Sequence, residues 1–261
     1  RKTAAVCRAT DEVLCVSIPK IIHYCWFGGG PIGEADRKCI ESWQKFCPDY
    51  RIMRWDETNF DLDCSPYVRQ AYDAGRYAFV SDYVRLAVLY RYGGIYLDTD
   101  VELVKPLDEL LELPGFMGFQ TNNEVATGLG FGARKGNSVV QALLRDYDAL
   151  DFLKADGSAD LTPCPERNTR VLQALGVRKD GTRQSIAEME IFPAEYFCPM
   201  DLYSRKLRVT PKTYSIHRYA ESWKPKPSAV SRILQRLLKK HYYTWYCPLR
   251  GRIEGRLRKR T

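Results

Sequence analysis

The stretch that decides the fold reads Leu89-Tyr90-Arg91-Tyr92-Gly93-Gly94-Ile95-Tyr96-Leu97-Asp98-Thr99-Asp100. Residues 79–92 carry apolar side chains on most sides of a helical projection, so they predict a buried helix that ends at the double glycine. Residues 95–97 predict a short buried strand, which runs directly into the two aspartates. A buried helix followed by a strand with carboxylates at its end is typical of α/β sheet proteins.

Helices and short strands also alternate in the rest of the chain. The periodicity predicts strands at residues 20–26, 50–55, 115–120, 129–133, 190–192 and 214–217. It predicts further helices at residues 34–46, 138–150 and 167–175. This alternation favours an α/β fold with a mostly parallel sheet.

The composition is that of a folded globular chain. The 261 residues are 45% hydrophobic and 12% aromatic, which is enough for one core and rules out a disordered or fibrous protein. No stretch reaches the roughly 18 uncharged apolar residues of a membrane-spanning helix. The nine cysteines are odd in number and form no C-x-x-C pair, so we expect reduced thiols in a cytosolic protein rather than a zinc site or a disulfide framework.

The net charge of +8 is unevenly distributed along the chain. Residues 1–223 hold 28 Lys and Arg against 31 Asp and Glu, whereas residues 224–261 hold 12 against the single Glu254. We therefore divide the chain into an N-terminal extension, residues 1–17, a mildly acidic domain, residues 18–223, and a basic tail. The two aspartates that follow the predicted strand, Asp98 and Asp100, belong to the acidic part. The charge distribution therefore argues against a nucleic-acid partner.

Within the tail, residues 228–246 predict an amphipathic helix with an apolar stripe flanked by cations. Pro225 and Pro227 precede this helix, and Ser228 is its expected N-cap. Such a helix either packs on its own domain or lies on an anionic membrane surface. The six further cations between Arg250 and Arg260 favour the membrane surface.

Asp98 and Asp100 end the predicted strand. Because alternate side chains of an extended chain point the same way, we expect both carboxylates on one side and Thr99 on the other. Two converging carboxylates indicate a divalent cation, Mn²⁺ or Mg²⁺, which would complete its shell with diphosphate oxygens. The same spacing recurs at residues 61–63 and 146–148 without a preceding strand, so spacing alone leaves a purely structural role open.

Asp82 and Arg85 lie three residues apart and therefore share one face of the predicted helix. A charged side chain inside an otherwise apolar helix needs either an ion-pair partner or a ligand to bind. Either the two form a mutual ion pair, or both project into a cleft where they grip sugar hydroxyls.

Three ordered motifs resemble those of glycosyltransferase family 32, the sugar-binding Asp-x-Asp glycosyltransferases. They are Ile18-Pro19-Lys20-Ile21-Ile22-His23-Tyr24-Cys25-Trp26-Phe27-Gly28, Phe79-Val80-Ser81-Asp82-Tyr83-Val84-Arg85 and the stretch from Leu89 to Asp100. The family includes Golgi mannosyltransferases, lactosylceramide α-galactosyltransferases and, more distantly, large glucosylating bacterial toxins. The chain is most similar to bacterial capsule and surface-polysaccharide members, from Ile18 to about Trp223.

This resemblance implies a GT-A fold, a nucleotide-sugar donor and retention of anomeric configuration. The residues that it assigns to the nucleotide sugar are Cys25, Trp26, Phe27, Asp82, Arg85, Tyr96, Asp98, Ser222 and Trp223. Trp26 stacks on the base in this assignment, and Asp82 and Arg85 hold the donor sugar. The family pattern has an Asn before Thr127-Gly128-Leu129-Gly130, where this chain has Ala126.

The resemblance also implies a divalent metal held by Asp98, Asp100 and His217. His217 belongs to the motif Ser215-Ile216-His217, which together with Ser222 and Trp223 resembles the family's closing element. A core histidine at a strand end is the alternative for His217.

The sequence thus predicts a retaining hexosyltransferase with Asp82, Arg85, Asp98 and Asp100 as catalytic residues. We expect a UDP-sugar such as UDP-galactose, UDP-glucose or UDP-N-acetylglucosamine rather than GDP-mannose, and a glycan or lipid-linked acceptor in surface-polysaccharide synthesis. The expected location is the cytoplasm, either free or peripheral at the cytoplasmic face of the inner membrane. A non-catalytic, metal-dependent sugar-binding module is the alternative, and it would leave Trp26 and Arg85 without roles.

Overall fold

An eight-stranded mixed sheet organises the part of the chain that the computed structural model describes, residues 17–202 and 204–220. Its strands are β1 (Ile21–Cys25), β2 (Arg51–Trp55), β3 (Gly94–Tyr96), β5 (Gly115–Phe119), β6 (Val125–Ala126), β7 (Phe131–Ala133), β8 (Gln184–Ile186) and β9 (Met189–Phe192). Their order is β2-β1-β3-β7-β5-β9-β8, with β6 paired to β5. A separate antiparallel pair is formed by β4 (Val101–Leu103) and β10 (Ser215–His217).

Six α-helices accompany these strands within the described residues. They are α1 (Glu34–Phe46), α2 (Pro66–Asp73), α3 (Tyr77–Tyr92), α4 (Ser138–Asp148), α5 (Cys164–Ala174) and α6 (Ala194–Phe197). The helix predicted at residues 34–46 is confirmed at both ends, and α3 begins two residues before its predicted start. No prediction corresponds to α2, although Ser65 at its N-cap and Pro66 in its first turn are helix-start signals.

The prediction of a mostly parallel sheet is wrong. β1 pairs in parallel with β2 and β3, and β5 with β9, but the other four pairs of the sheet are antiparallel. Short connections explain two of these antiparallel pairs, β5–β6 and β8–β9, because a parallel pair needs a crossover of a dozen or more residues. The turns after β5 and β8 are tight and pass through left-handed residues, Asn123 at φ 62° and Ala187 at φ 43°.

Apolar residues on the two faces of the sheet form two buried clusters. Along β3 they alternate, since Tyr96 joins the cluster of α2 to α5, whereas Ile95 joins the cluster that contains Trp43 of α1. Trp43 is fully buried, and its indole Nε1 donates a 2.7 Å hydrogen bond to the carbonyl of Val101. This bond fixes α1 to the start of β4, directly after the second aspartate.

The parallel pairing of β1 and β3 brings their carboxyl ends to the same edge of the sheet. Trp26 and Asp98 follow those ends, which places the first and third sequence motifs side by side. No described helix has the length and apolar character needed to span a bilayer. The predicted tail helix, Ser222 and Trp223 lie outside the described residues. The six cysteines that the structure describes are free thiols.

Candidate functional site

Asp98 and Asp100 are brought together by a turn. The amide of Val101 donates a 3.0 Å hydrogen bond to the carbonyl of Asp98, so the chain reverses after β3 instead of continuing as a strand. Thr99 donates its hydroxyl to Asp36 of α1 at 2.9 Å. The expected extended conformation is therefore wrong, because Asp and Thr side chains favour turns once the strand has ended. The convergence of the two carboxylates is nevertheless present.

His217 completes a group of three potential metal ligands. One ligand atom each from Asp98, Asp100 and His217 lies within 4.8 Å of the others. The register of the β4–β10 pair explains the approach, because His217 is directly opposite Val101. The imidazole Nε2 lies 3.2 Å from Asp100 Oδ1, and Nδ1 is buried without a hydrogen-bond partner in the described part of the chain. Two carboxylates and an imidazole with an unused nitrogen fit a divalent cation such as Mn²⁺.

The electrostatics of Asp100 and His217 are coupled. Burial disfavours both charged forms, but attraction between carboxylate and imidazolium outweighs it, so the pKa of Asp100 is lowered and the pKa of His217 is raised. Asp100 Oδ2 also accepts a 2.7 Å hydrogen bond from the amide of Ala220. These contacts keep Asp100 ionised, as a metal ligand must be.

Asp98 is oriented through one oxygen. Its Oδ1 accepts hydrogen bonds from Arg85 Nη2 and the Tyr96 hydroxyl, both at 3.0 Å, which leaves Oδ2 for a further partner. Gly128 lies against this carboxylate, since its carbonyl accepts the Asp98 amide at 3.1 Å and a Cβ at that position would fall 2.8 Å from Asp98 Cγ. The absence of a side chain at Gly128 therefore leaves room for the Asp98 carboxylate.

Arg85 joins the two predicted carboxylate motifs. Its Nη2 lies 3.1 Å from Asp82 and 3.0 Å from Asp98, and the guanidinium lies over the ring of Tyr96. Asp82 and Arg85 are both buried, and burial, only partly opposed by Arg85, raises the pKa of Asp82 to about 6. The mutual ion pair expected as one alternative is present, and it continues to Asp98. The site also holds more carboxylates than cationic side chains, which favours a bound cation.

Three residues that sequence reasoning missed lie behind Arg85. The Asn168 amide nitrogen donates to Thr127 Oγ1 and to Cys164 Sγ, each at 3.1 Å, and Arg85 Nη1 approaches the same hydroxyl at 3.4 Å. Asn168 is fully buried, and its Oδ1 has no hydrogen-bond partner among the described residues. No spacing pattern indicates this group, because α5 reaches Thr127 only through the tertiary fold.

The first motif, residues 18–28, contributes its side chains to the same edge of the sheet. Cys25 and Phe27 are buried, and burial raises the pKa of the Cys25 thiol to about 12, which makes it chemically inert. Trp26 is half-buried, with its indole Nε1 donating to the carbonyl of Gly30 at 2.6 Å. Its ring is thus held by the glycine loop that follows β1.

A family comparison covers the part of the chain that contains Asp82, Arg85, Asp98 and Asp100. Residues 33–116 match the sequence model of the glycosyltransferase sugar-binding region containing the DXD motif. This part of the chain is therefore similar to the GT32-type glycosyltransferases. This result confirms the resemblance drawn from the sequence, and it supports a transferase.

Named relatives of this glycosyltransferase domain include several sphingolipid enzymes. Inositol phosphoceramide mannosyltransferase 3 of Schizosaccharomyces pombe is 31% identical over 144 residues, which is 52% of this chain and 39% of the relative. An uncharacterised glycosyltransferase of Acanthamoeba polyphaga mimivirus is 26% identical over 223 residues, or 80% and 84% of the two chains. The chain thus spans less than half the length of the curated mannosyltransferase.

Solved glycosyltransferase structures are more remote from this domain. The PaToxG glycosyltransferase is 22% identical, covers 60% of this chain and 69% of its own, and has a TM-score of 0.46. A glycosyltransferase involved in glycosylation of the PBCV-1 major capsid is 12% identical, covers 78% and 95%, and has a TM-score of 0.44.

Proposed function

We propose that this chain transfers a hexose from a nucleotide sugar to a glycan or lipid-linked acceptor, with retention of configuration, through a GT-A domain. The observation that carries the proposal is the convergence of Asp98, Asp100 and His217 at the end of β3, within reach of the Asp82–Arg85 pair. A sugar transferase that uses a nucleotide donor needs an anion-stabilising centre beside a group that holds hydroxyls. Both are supplied by neighbouring side chains at one edge of the sheet.

The metal centre would be held by Asp98, Asp100 and His217. A divalent cation bound there would neutralise the charge that develops on the departing diphosphate. Arg85 and Tyr96 hold Asp98 Oδ1, so this carboxylate keeps one orientation throughout turnover. We assign Mn²⁺ or Mg²⁺ on the chemistry of the donor set.

The donor sugar would be positioned by Asp82 and Arg85, with Trp26 stacked on the nucleotide base. The site carboxylates already have partners, since Asp82 and Asp98 contact Arg85 and Asp100 contacts His217. This engagement favours a same-face substitution over a covalent sugar-enzyme intermediate. The acceptor hydroxyl attacks on the side that the diphosphate leaves and passes its proton to the departing phosphate oxygen.

We assign a UDP-sugar as donor, and surface-polysaccharide synthesis at the cytoplasmic face of the inner membrane as the setting. The named sphingolipid mannosyltransferases make GDP-mannose the necessary second donor in any screen. Their inositol phosphoceramide substrates also support a lipid-linked acceptor as a class.

The test is donor hydrolysis by the full chain, measured as release of nucleoside diphosphate from UDP-sugars and GDP-mannose with Mn²⁺ or Mg²⁺. Asp100→Asn removes a negative ligand without a change of shape, and we expect at least a roughly hundredfold loss of rate. Asp61→Asn is the matched control, because it alters the first aspartate of another Asp-x-Asp pair, one that lies on the surface.

Unchanged hydrolysis in excess chelator would contradict the metal-dependent mechanism. A chain that binds Mn²⁺ and a nucleoside diphosphate but turns over no donor would instead favour the sugar-binding module. Equal losses in Asp100→Asn and Asp61→Asn would show that the effect is not specific to the site.

A further inference from the structure

A basic turn with exposed aliphatic side chains borders the candidate site. We name it the cationic turn, and it comprises Arg205, Lys206, Leu207, Arg208, Val209 and Lys212. No acidic residue occurs between positions 204 and 212. Lys212 pairs with Glu195 at 2.9 Å, whereas Lys206 and Arg208 form no ion pair with any described residue. Lys206 and Arg208 therefore present positive charge that no described carboxylate pairs with.

Two aliphatic side chains lie among these cations. Leu207 is 40% exposed and Val209 is 50% exposed, the largest fraction among the exposed large apolar residues of the described chain. Single exposed aliphatic residues are common on protein surfaces, but a pair within a run of cations is the composition of an interfacial segment. Lys and Arg can bury their stems beside such residues while the charges reach lipid phosphates.

The backbone of the cationic turn is fixed. The amide of Asp201 donates to the carbonyl of Lys206 at 3.0 Å, and the amide of Arg208 donates to Pro199 at 3.1 Å. Leu207 forms an isolated antiparallel bridge with Met200. The side chains are thus presented by a held turn rather than by an unsupported loop, which lowers the entropy lost when they dock.

The cationic turn reaches the candidate site through two contacts. The Arg205 guanidinium lies 4.8 Å from the centre of the Tyr219 ring, and the Tyr219 ring lies 4.3 Å from the imidazole of His217. The turn therefore lies two side-chain contacts away from the proposed metal ligand His217.

We infer that the cationic turn docks on an anionic phospholipid bilayer, with Leu207 and Val209 entering the headgroup region and Lys206 and Arg208 contacting lipid phosphates. This inference rests on the proposed function for the reason to dock there, which is delivery of a lipid-linked acceptor. A nucleic acid or an acidic protein would use the cations but would gain little from the two aliphatic side chains.

The test compares two charge-matched double variants of the full chain. Leu207→Glu with Val209→Glu alters the cationic turn, and Leu153→Glu with Leu175→Glu places the same charges at two other exposed leucines, at 39% and 45% exposure. Both proteins keep the basic tail, so its contribution cancels. The measurement is co-sedimentation with phosphatidylcholine vesicles, with and without phosphatidylserine.

We expect the turn variant to bind phosphatidylserine vesicles at least about tenfold more weakly than the wild type, and the control variant to stay within about twofold. Lys206→Gln with Arg208→Gln should weaken binding only where phosphatidylserine is present. Equal binding by the wild type and the turn variant would overturn the inference, and so would equal losses in the two Glu pairs. Binding that heparin abolishes but the aliphatic substitutions leave intact would point to a general polyanion surface and also overturn it.

Donor hydrolysis without vesicles separates this inference from the proposed function. We expect the turn variant to hydrolyse the donor at the wild-type rate, since none of its altered residues belongs to the metal or donor site. Absence of hydrolysis in every protein, with vesicle binding still governed by the turn, would refute the function and keep the docking surface. Normal donor hydrolysis, together with wild-type vesicle binding by the turn variant, would support the proposed function and refute the docking surface.

Discussion

We predict that Gly128→Ala disables the site by displacing the Asp98 carboxylate. The added Cβ would overlap Asp98 Oδ2 and would lie 2.8 Å from Asp98 Cγ, whereas carbon atoms in contact prefer about 3.5–4.0 Å. One of the two groups must therefore shift by at least about 1 Å. Gly128 cannot easily recede, because its carbonyl accepts the Asp98 amide.

The shift has to break contacts that orient the carboxylate. Asp98 Oδ1 is fixed by Arg85 and Tyr96, so a rotation that relieves the overlap weakens both hydrogen bonds. A displacement of about 1 Å at a reacting centre can cost about a hundredfold in rate. Disturbed orientation of a ligand typically lowers metal affinity by about 10–100-fold.

The assay is Mn²⁺ titration by calorimetry together with donor hydrolysis. Gly157→Asn is the control, because a Cβ there meets no atom within 4 Å and Asn tolerates the positive φ of 77° at that position. Wild-type affinity and rate in Gly128→Ala, at an unchanged melting temperature, would refute the assigned orientation of Asp98. A comparable loss in Gly157→Asn would show that the effect is not local.

Three further changes test the fold and the site. Arg85→Lys keeps the charge but loses the planar fork, so donor hydrolysis should fall well over tenfold; unchanged kinetics with a lower melting temperature would leave Arg85 only a structural role. Burial lowers the pKa of His23 from 6.5 to about 4. The folded state therefore favours the neutral imidazole, and the full free energy of unfolding is available above pH 6.5. About 3 kcal/mol of that free energy is lost as the pH falls towards 4. The free energy of unfolding, measured with denaturant, should fall less steeply over that pH range in His23→Gln than in the wild type. An identical pH dependence in the two proteins would exclude His23 as the cause. Trp43→Phe leaves the buried Val101 carbonyl unpaired and should cost about 1–3 kcal/mol in the free energy of unfolding, and a cost near zero would contradict the bond.

Local signals were enough to predict the elements around the site. The helix at residues 34–46 has its buried residues, Cys39 and Trp43, on one face, and Pro48 follows its end. The strand before Asp98 could be predicted because a glycine pair isolates its three apolar residues. These features depend only on neighbours in sequence, where periodicity and turn residues carry the information.

The sheet order and the surroundings of Arg85 could not be predicted in this way. Whether β7 returns beside β3 in the antiparallel sense depends on packing between distant segments. The group behind Arg85 joins Thr127 to Asn168, more than 40 residues further along the chain, and contains no regular spacing. His217 was assigned by resemblance alone, and its approach to Asp100 depends on the register of β10 against β4.

That register gives the proposed metal site a role in holding the chain together. Two of its ligands precede the third by more than a hundred residues, so an ion bound to all three closes a long loop that the unfolded chain would otherwise leave open. Occupancy then stabilises the fold by mass action, by about 2.7 kcal/mol when the free ion is at a hundred times its dissociation constant. The attachment of β10 would therefore vary with the supply of the ion, and the melting temperature would report that supply.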